Sequence, residues 1–198
     1  ENIFKFRLNP TTYDSHFEMF QTKNATATQI FNHLNNEGVG LINYTGHGYH
    51  DNWTTTGFSN THISKLTNGH RLPVIVSVAC INGEFHVGGD AFAEAWLKKK
   101  DGGAAAMWAA TINQPWAPPM RGQDYFNDLL TGGFNYNKGT GKGINTTEGR
   151  STFGSLTANA SHLMLTESSS TADVETVQTW TVFGDVTLQV RSDSPTRY

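Results

Sequence analysis

Two short stretches, residues 41–48 and 73–83, constrain this chain more than any other part of it. Each is an apolar, partly β-branched run that ends in one reactive side chain, His47 or Cys80, and then in glycine or other turn formers. Runs of this kind read as strands buried on both faces, as parallel sheets contain. Parallel neighbours end on the same edge, where open α/β sheets place their chemistry. The pattern therefore brings His47 and Cys80 together as the seed of a cysteine–histidine pair.

The 198 residues suffice for one domain with a substantial core and are few for two, so 1–198 reads as a single domain. Hydrophobic residues at 37% and aromatics at 12% exclude a disordered chain. The formal charge is −3 and the longest like-charge block is Lys98, Lys99 and Lys100, which gives nucleic acid or an anionic membrane surface no footing. No run nears the ~20 apolar residues that span a bilayer, and Glu1, Asn2 and Ile3 do not open a signal peptide, so a soluble mature chain without membrane insertion is expected. Cys80 is the single cysteine, which rules out an intrachain disulfide. By residue type alone it is either a nucleophile or a small buried hydrophobe.

Along the chain, residues 1–9 fit a helix stopped by Pro10, or a strand, with the helix preferred. Residues 16–22 alternate polar and apolar, as a strand with one buried face would. Residues 25–36 predict a helix with Thr26 or Thr28 as cap and Gly38 at its end, leading into a strand over 39–44 and so completing a β-α-β unit. Residues 49–69 predict a long polar loop with a short helix near 63–66. After the strand 73–79, Asp90 is placed to cap a helix reaching Lys100, with Phe92 and Trp96 on its buried side. Residues 104–111 predict a third parallel strand. The prolines of 113–120 argue against regular structure there, leaving Trp116 and Met120 on a stiff loop. Helices are expected over 121–131 and 153–165, with a glycine-rich stretch at 132–149 between them. Residues 168–171 read as a solvated loop, and two short runs flank Gly184 and Asp185.

A thiol becomes a strong nucleophile when it ionises, and a neighbouring imidazole can take its proton and later protonate the leaving amine. His47 and Cys80 are 33 positions apart, about the length of one strand, crossover and strand. Gly46 and Gly48 allow close approach of backbone to substrate, and the amides of Gly48 and Cys80 are candidates to face a developing oxyanion. His47 and His50, with Asp51 next and His62, His70 and His86 further on, offer a metal reading instead, although their spacing matches no zinc motif. Trp116 is either a core residue or a pocket wall whose indole suits a guanidinium.

Four segments carry a more specific signal: 43–48, 78–85, 111–124 and 179–185. In sequence and in order they resemble the gingipains, secreted bacterial cysteine endopeptidases with a caspase-like fold, and most of all the arginine-specific ones. The resemblance runs from near Glu1 to about Arg191. It implies an α/β fold with a mostly parallel sheet flanked by helices on both faces. It further implies Cys80 as nucleophile, His47 as its partner and the Gly48 and Cys80 amides as oxyanion donors. Trp116 and Met120 would wall the primary specificity pocket, with Gln114 nearby. The chemistry would need no cofactor. A structural calcium is implied at Phe85 (through its backbone), Glu94 and Asp124, although Tyr125 stands where the family pattern has another acid. Secretion or a cell-surface location and activation from a zymogen are implied as well.

In that family an acid assisting the histidine, and an aspartate that pairs with the substrate arginine, lie upstream of the segment matching Glu1, Asn2 and Ile3. The chain is therefore expected to be a fragment or processed product of a longer polypeptide, or to receive those groups from another chain. The resulting expectation is an endopeptidase that cuts after arginine, or after lysine, through an acyl-enzyme. Two other readings remain: a non-catalytic caspase-like module kept for binding or secretion, and a metal hydrolase using His47 and His50.

Overall fold

The computed structural model describes residues 17–131 and 152–190; the helix expected over 1–9 and the glycine-rich stretch 132–149 lie outside them. In chain order the elements are α1 (Ala27–Asn32), β1 (Leu41–Thr45), β2 (Gly48–Tyr49), β3 (Asn52–Trp53), β4 (Phe58–Ser59), α2 (Asn60–Ile63), β5 (Val74–Val78), α3 (Phe92–Lys98), β6 (Ala106–Ala110), α4 (Ala117–Leu130), α5 (Phe153–Glu167), α6 (Thr171–Thr179) and β7 (Trp180–Gly184). The main sheet has the order β1-β5-β6-β7. Its first two pairings are parallel and β7 runs antiparallel to β6.

Both central strands are buried along their whole length, which is why they read as unbroken apolar runs. Their alternate side chains enter two separate cores. Ile75, Met107 and Ala109 pack with Ile30, Ile63, Phe92 and Trp96 under α1, α2 and α3. Val76, Val78, Trp108 and Ala110 pack with Phe126, Leu129, Phe153 and Leu156 under α4 and α5. The sheet is thus covered by helices on both faces, the caspase-like arrangement. Among the described residues, no helix is long and apolar enough to cross a membrane.

Several local expectations are corrected. Residues 17–20 form no strand, so no β-α-β unit is completed there: Phe17 and Phe20 stay exposed and the chain turns through a 3-10 helix, Gln21–Lys23. Alternation signals a strand only where a partner exists to cover one face. Within residues 49–69, expected as loop, Tyr49, β3 and β4 join Gly48 in a three-stranded antiparallel sheet of two-residue strands, too short to carry a periodic signal. Residues 117–120 belong to α4, because Pro118 and Pro119 occupy its first turn, where the missing amide is not needed. Asp90 does not cap α3; the Glu94 carboxylate accepts the Ala91 amide at 3.0 Å, and Asp90 instead holds Lys98 at 2.7 Å. The stretch 168–171, expected as loop, leads directly into helix α6. Its start is made by Ser170, whose hydroxyl accepts the Asp173 amide.

β7 ends at Gly184, which has φ +105 and would place a Cβ 2.7 Å from the Ala105 carbonyl oxygen. Both the left-handed backbone and the close approach to β6 call for glycine. Gly184→Ala should therefore lower stability by about 1–3 kcal/mol. A lower urea midpoint at unchanged m-value would show this, and an unchanged midpoint would refute it.

Candidate active site

β1 pairs with β5 in a register that sets Thr45 opposite Val78, and the Gly46 amide donates to the Val78 carbonyl at 3.1 Å. His47 and Cys80 each follow two residues after that last pair. They line one cavity of about 180 Å³, together with Gly46, Ala79, Gln114 and Trp116. The strand ends thus deliver both reactive side chains to one place, as the two apolar runs predict.

His47 is exposed and its backbone is tied down on two sides. Its carbonyl accepts the Tyr44 phenol at 2.8 Å and the Thr54 amide at 2.9 Å, while its own amide donates to Thr55 Oγ1 at 2.9 Å. Burial pushes the Tyr44 phenol above its usual pKa, which keeps the proton it donates. The His47–Thr54 bond fixes the alternation of the β2–β3 hairpin, in which Gly48 faces Trp53 as the next, non-bonded pair. The Gly48 amide therefore points outside the ladder. Gly48 itself packs closely on the cysteine turn: a Cβ there would lie 2.6 Å from the Cys80 carbonyl oxygen and 2.8 Å from the Ala79 Cβ.

Cys80 is half-buried. Beyond it the turn is pinned to the end of β6, with the Ile81 amide donating to Ile112 O at 3.1 Å and the Gly83 amide to Ala110 O at 2.8 Å. Ile81 has φ +43, a left-handed conformation that a β-branched residue adopts only where its surroundings impose it. The thiol donates to Gln114 O at 3.8 Å. Both amide atoms of the Gln114 side chain are buried without a hydrogen-bond partner, leaving unused polar capacity in the cavity wall.

Trp116 is 50% exposed and stands edge-on to His47, with ring centroids 5.3 Å apart. It is a wall rather than a core residue. Met120 lies one helical turn further along α4, exposed and outside the cavity lining. The next residue, Arg121, anchors this part of α4 through an ion pair with the buried Asp173 on α6.

The residues implied for calcium are spread over the fold. Glu94 lies on α3 and Asp124 on α4, helices that cover opposite faces of the sheet. Glu94 is engaged by Lys98 and by the Ala91 amide, which hold its carboxyl below the usual value. Asp124 is pushed up by burial and by Asp128, and Phe85 is exposed against Phe183. His50 does not join His47 at a metal position but lies 3.7 Å from Glu84. Among the described residues no three histidine, cysteine or acidic side chains are arranged to hold a metal ion.

Other residues of the site escape a sequence reading. Ser77, Asn82 and Trp53 form a buried hydrogen-bonded chain behind Cys80, and Asn43 and Thr45 bond Gln123 and Asn127 of α4. The available signal was the single hydroxyl of Ser77 inside an apolar strand, since a buried hydroxyl needs a partner.

A sequence profile of peptidase family C25 matches residues 2–191. The chain belongs to that family. Gingipain R1 of Porphyromonas gingivalis is 42% identical over 166 residues, which cover 82% of this chain and 16% of gingipain R1. The crystal structure of the Arg-specific cysteine proteinase gingipain R superposes with a TM-score of 0.75 at 39% identity, covering 87% of this chain and 38% of that one. The complex of P. gingivalis RgpB pro- and mature domains gives a TM-score of 0.76 at 40% identity, again over 87% and 38%. This C25 chain therefore spans well under half the length of the relatives it matches.

The Asp173 carboxyl is held below its usual range by hydrogen bonds from Ser168 and then Ser170, and by the Arg121 guanidinium. A depressed carboxyl contributes stability above its unfolded pKa and loses it as pH falls through the folded value. Asp173→Asn should therefore melt earlier than the parent at pH 7, and the difference should shrink once pH drops below about 4. A difference that stays constant between pH 7 and pH 3 would contradict this.

Proposed function

We propose that this chain is the nucleophile-bearing part of a cysteine endopeptidase that cuts after arginine. The observation that carries the reading is the delivery of His47 and Cys80, from adjacent parallel strand ends, to one cavity walled by the exposed Trp116. Family membership and the likeness to an Arg-specific cysteine proteinase support it.

In this mechanism His47 takes the Sγ proton and Cys80 attacks the scissile carbonyl carbon. The carbonyl oxygen becomes an oxyanion facing the Gly48 and Cys80 amides. Collapse of this intermediate breaks the C–N bond, the imidazolium protonates the leaving amine, and a thioester remains. Water then gives a proton to His47 and attacks the thioester; the C–S bond breaks and the proton returns to sulfur. Trp116 offers its indole face to the substrate guanidinium.

No carboxylate lines this cavity among the described residues. A guanidinium left without one forgoes a charge-assisted contact worth roughly 1.5–3 kcal/mol. The carboxylate that reads arginine, and an acid behind His47, are accordingly assigned to a segment or chain outside these residues. The substrate is a peptide or protein with arginine before the cut bond, met outside the bacterial cell or at its surface.

An arginyl chloromethyl ketone added to the intact native protein should alkylate Cys80, read by peptide mass mapping; absence of label with both the arginyl and the lysyl reagent sinks the proposal. Labelling by the lysyl reagent alone removes only the arginine preference. Cys80→Ala should lower turnover of an arginyl amide by at least about a thousandfold.

A further inference from the structure

We infer that Asn82 is a positioning residue for the oxyanion site, its buried carboxamide locking the Gly48 hairpin against the Cys80 turn. The inference rests on Cys80 acting as an acylating nucleophile.

Asn82 is fully buried two residues beyond Cys80. Its Nδ2 donates to the carbonyl oxygens of Tyr49 at 2.8 Å and Asn52 at 3.0 Å, the two residues that close the β2–β3 hairpin. Its Oδ1 accepts from Ser77 Oγ at 2.9 Å, and Ser77 Oγ accepts from Trp53 Nε1 at 3.0 Å. The Tyr49 and Asn52 carbonyls can only accept, so the nitrogen of the Asn82 amide must face them and its oxygen is left to take the Ser77 hydroxyl proton. The amide orientation is thereby fixed, with the nitrogen towards the carbonyls. The Asn82 backbone carbonyl also accepts the Ala93 amide at 2.9 Å, tying the turn to α3.

One side chain therefore joins β5, the cysteine turn and the hairpin that carries Gly48. Gly48 lies directly against it, since a Cβ there would be 3.0 Å from Asn82 Nδ2. His47, in contrast, has an anchor of its own in the Tyr44 phenol on β1. Loss of the Asn82 donors should release the Gly48 amide from its place beside Cys80 while His47 keeps its hold on β1. An oxyanion donor works only if it is already in place when charge develops, and removing one costs about 10²–10³ in kcat.

Two reactions of the same thiol separate positioning from general damage. Amide hydrolysis passes through an oxyanion, whereas alkylation by iodoacetamide is displacement at a saturated carbon and does not. In the intact native protein, Asn82→Leu keeps the size and removes both donors without adding a charge beside the thiol. We expect kcat on an arginyl amide to fall about a hundredfold, with KM within about threefold, and the iodoacetamide rate and its pH midpoint to match the parent's. Should this variant not fold, Ser77→Ala decides instead, with kcat expected to fall about tenfold at unchanged alkylation. Turnover within about threefold of the parent, or alkylation falling in step with turnover, overturns the inference. A parent that turns over nothing sinks the endopeptidase reading itself, a result distinct from an active parent with active variants.

Discussion

With Thr45 opposite Val78, the two strands leave the sheet at the same level, and their next residues become the His47 and Cys80 turns. A slip of one residue along this pair would exchange the faces of every β1 side chain. The register resists such a slip because the two faces of β1 have different partners. Tyr44 stacks on Trp53 with ring centroids 4.4 Å apart, beside the α3 core. On the other face Thr45 donates to Gln123 at 2.7 Å and Asn43 to Asn127 at 2.8 Å, both on α4. Exchanging them would strand polar groups against the aromatic cluster, at a cost of the order of 1–3 kcal/mol each.

The same logic extends outward from the sheet. The aromatic cluster of Trp53, Phe58, Phe92 and Trp96 sits under the short antiparallel strands and gives the His47 hairpin a rigid floor. On the opposite face Trp108 stacks on Trp180 at 3.5 Å and donates to its carbonyl, fixing β7 and the end of α6. α6 in turn supplies Asp173 to Arg121, next to the residues that follow Trp116. Each wall of the cavity is thus braced by a different core.

The sheet and the meeting of His47 with Cys80 were legible because buried parallel strands leave an unbroken apolar signature with a clear end. Trp116 was undecidable until its surroundings were known, since a tryptophan in a proline-rich stretch looks alike as core or wall. The hairpin over 48–59 was illegible for a simpler reason: two-residue strands have no period. The Ser77 and Asn82 network depends on contacts between residues up to 33 positions apart, of which composition preserves only the oddity of one hydroxyl in an apolar strand. The residues implied for calcium come from family correspondence alone, which says which residues align and nothing of how α3 and α4 are placed.

Ile81 gives the Cys80 turn a particular character. Its left-handed backbone is not a conformation that isoleucine chooses; it is imposed by β6 on one side and by the Asn82 anchors on the other. The turn is consequently not a portable motif. Residues 78–83 cut out and grafted between a strand and a helix of another scaffold would relax towards ordinary extended backbone, and Cys80 would lose the placement that sets it in one cavity with His47. What natural selection can pass on here is the whole frame of sheet, hairpin and buried amide, within which the loop has no independent shape.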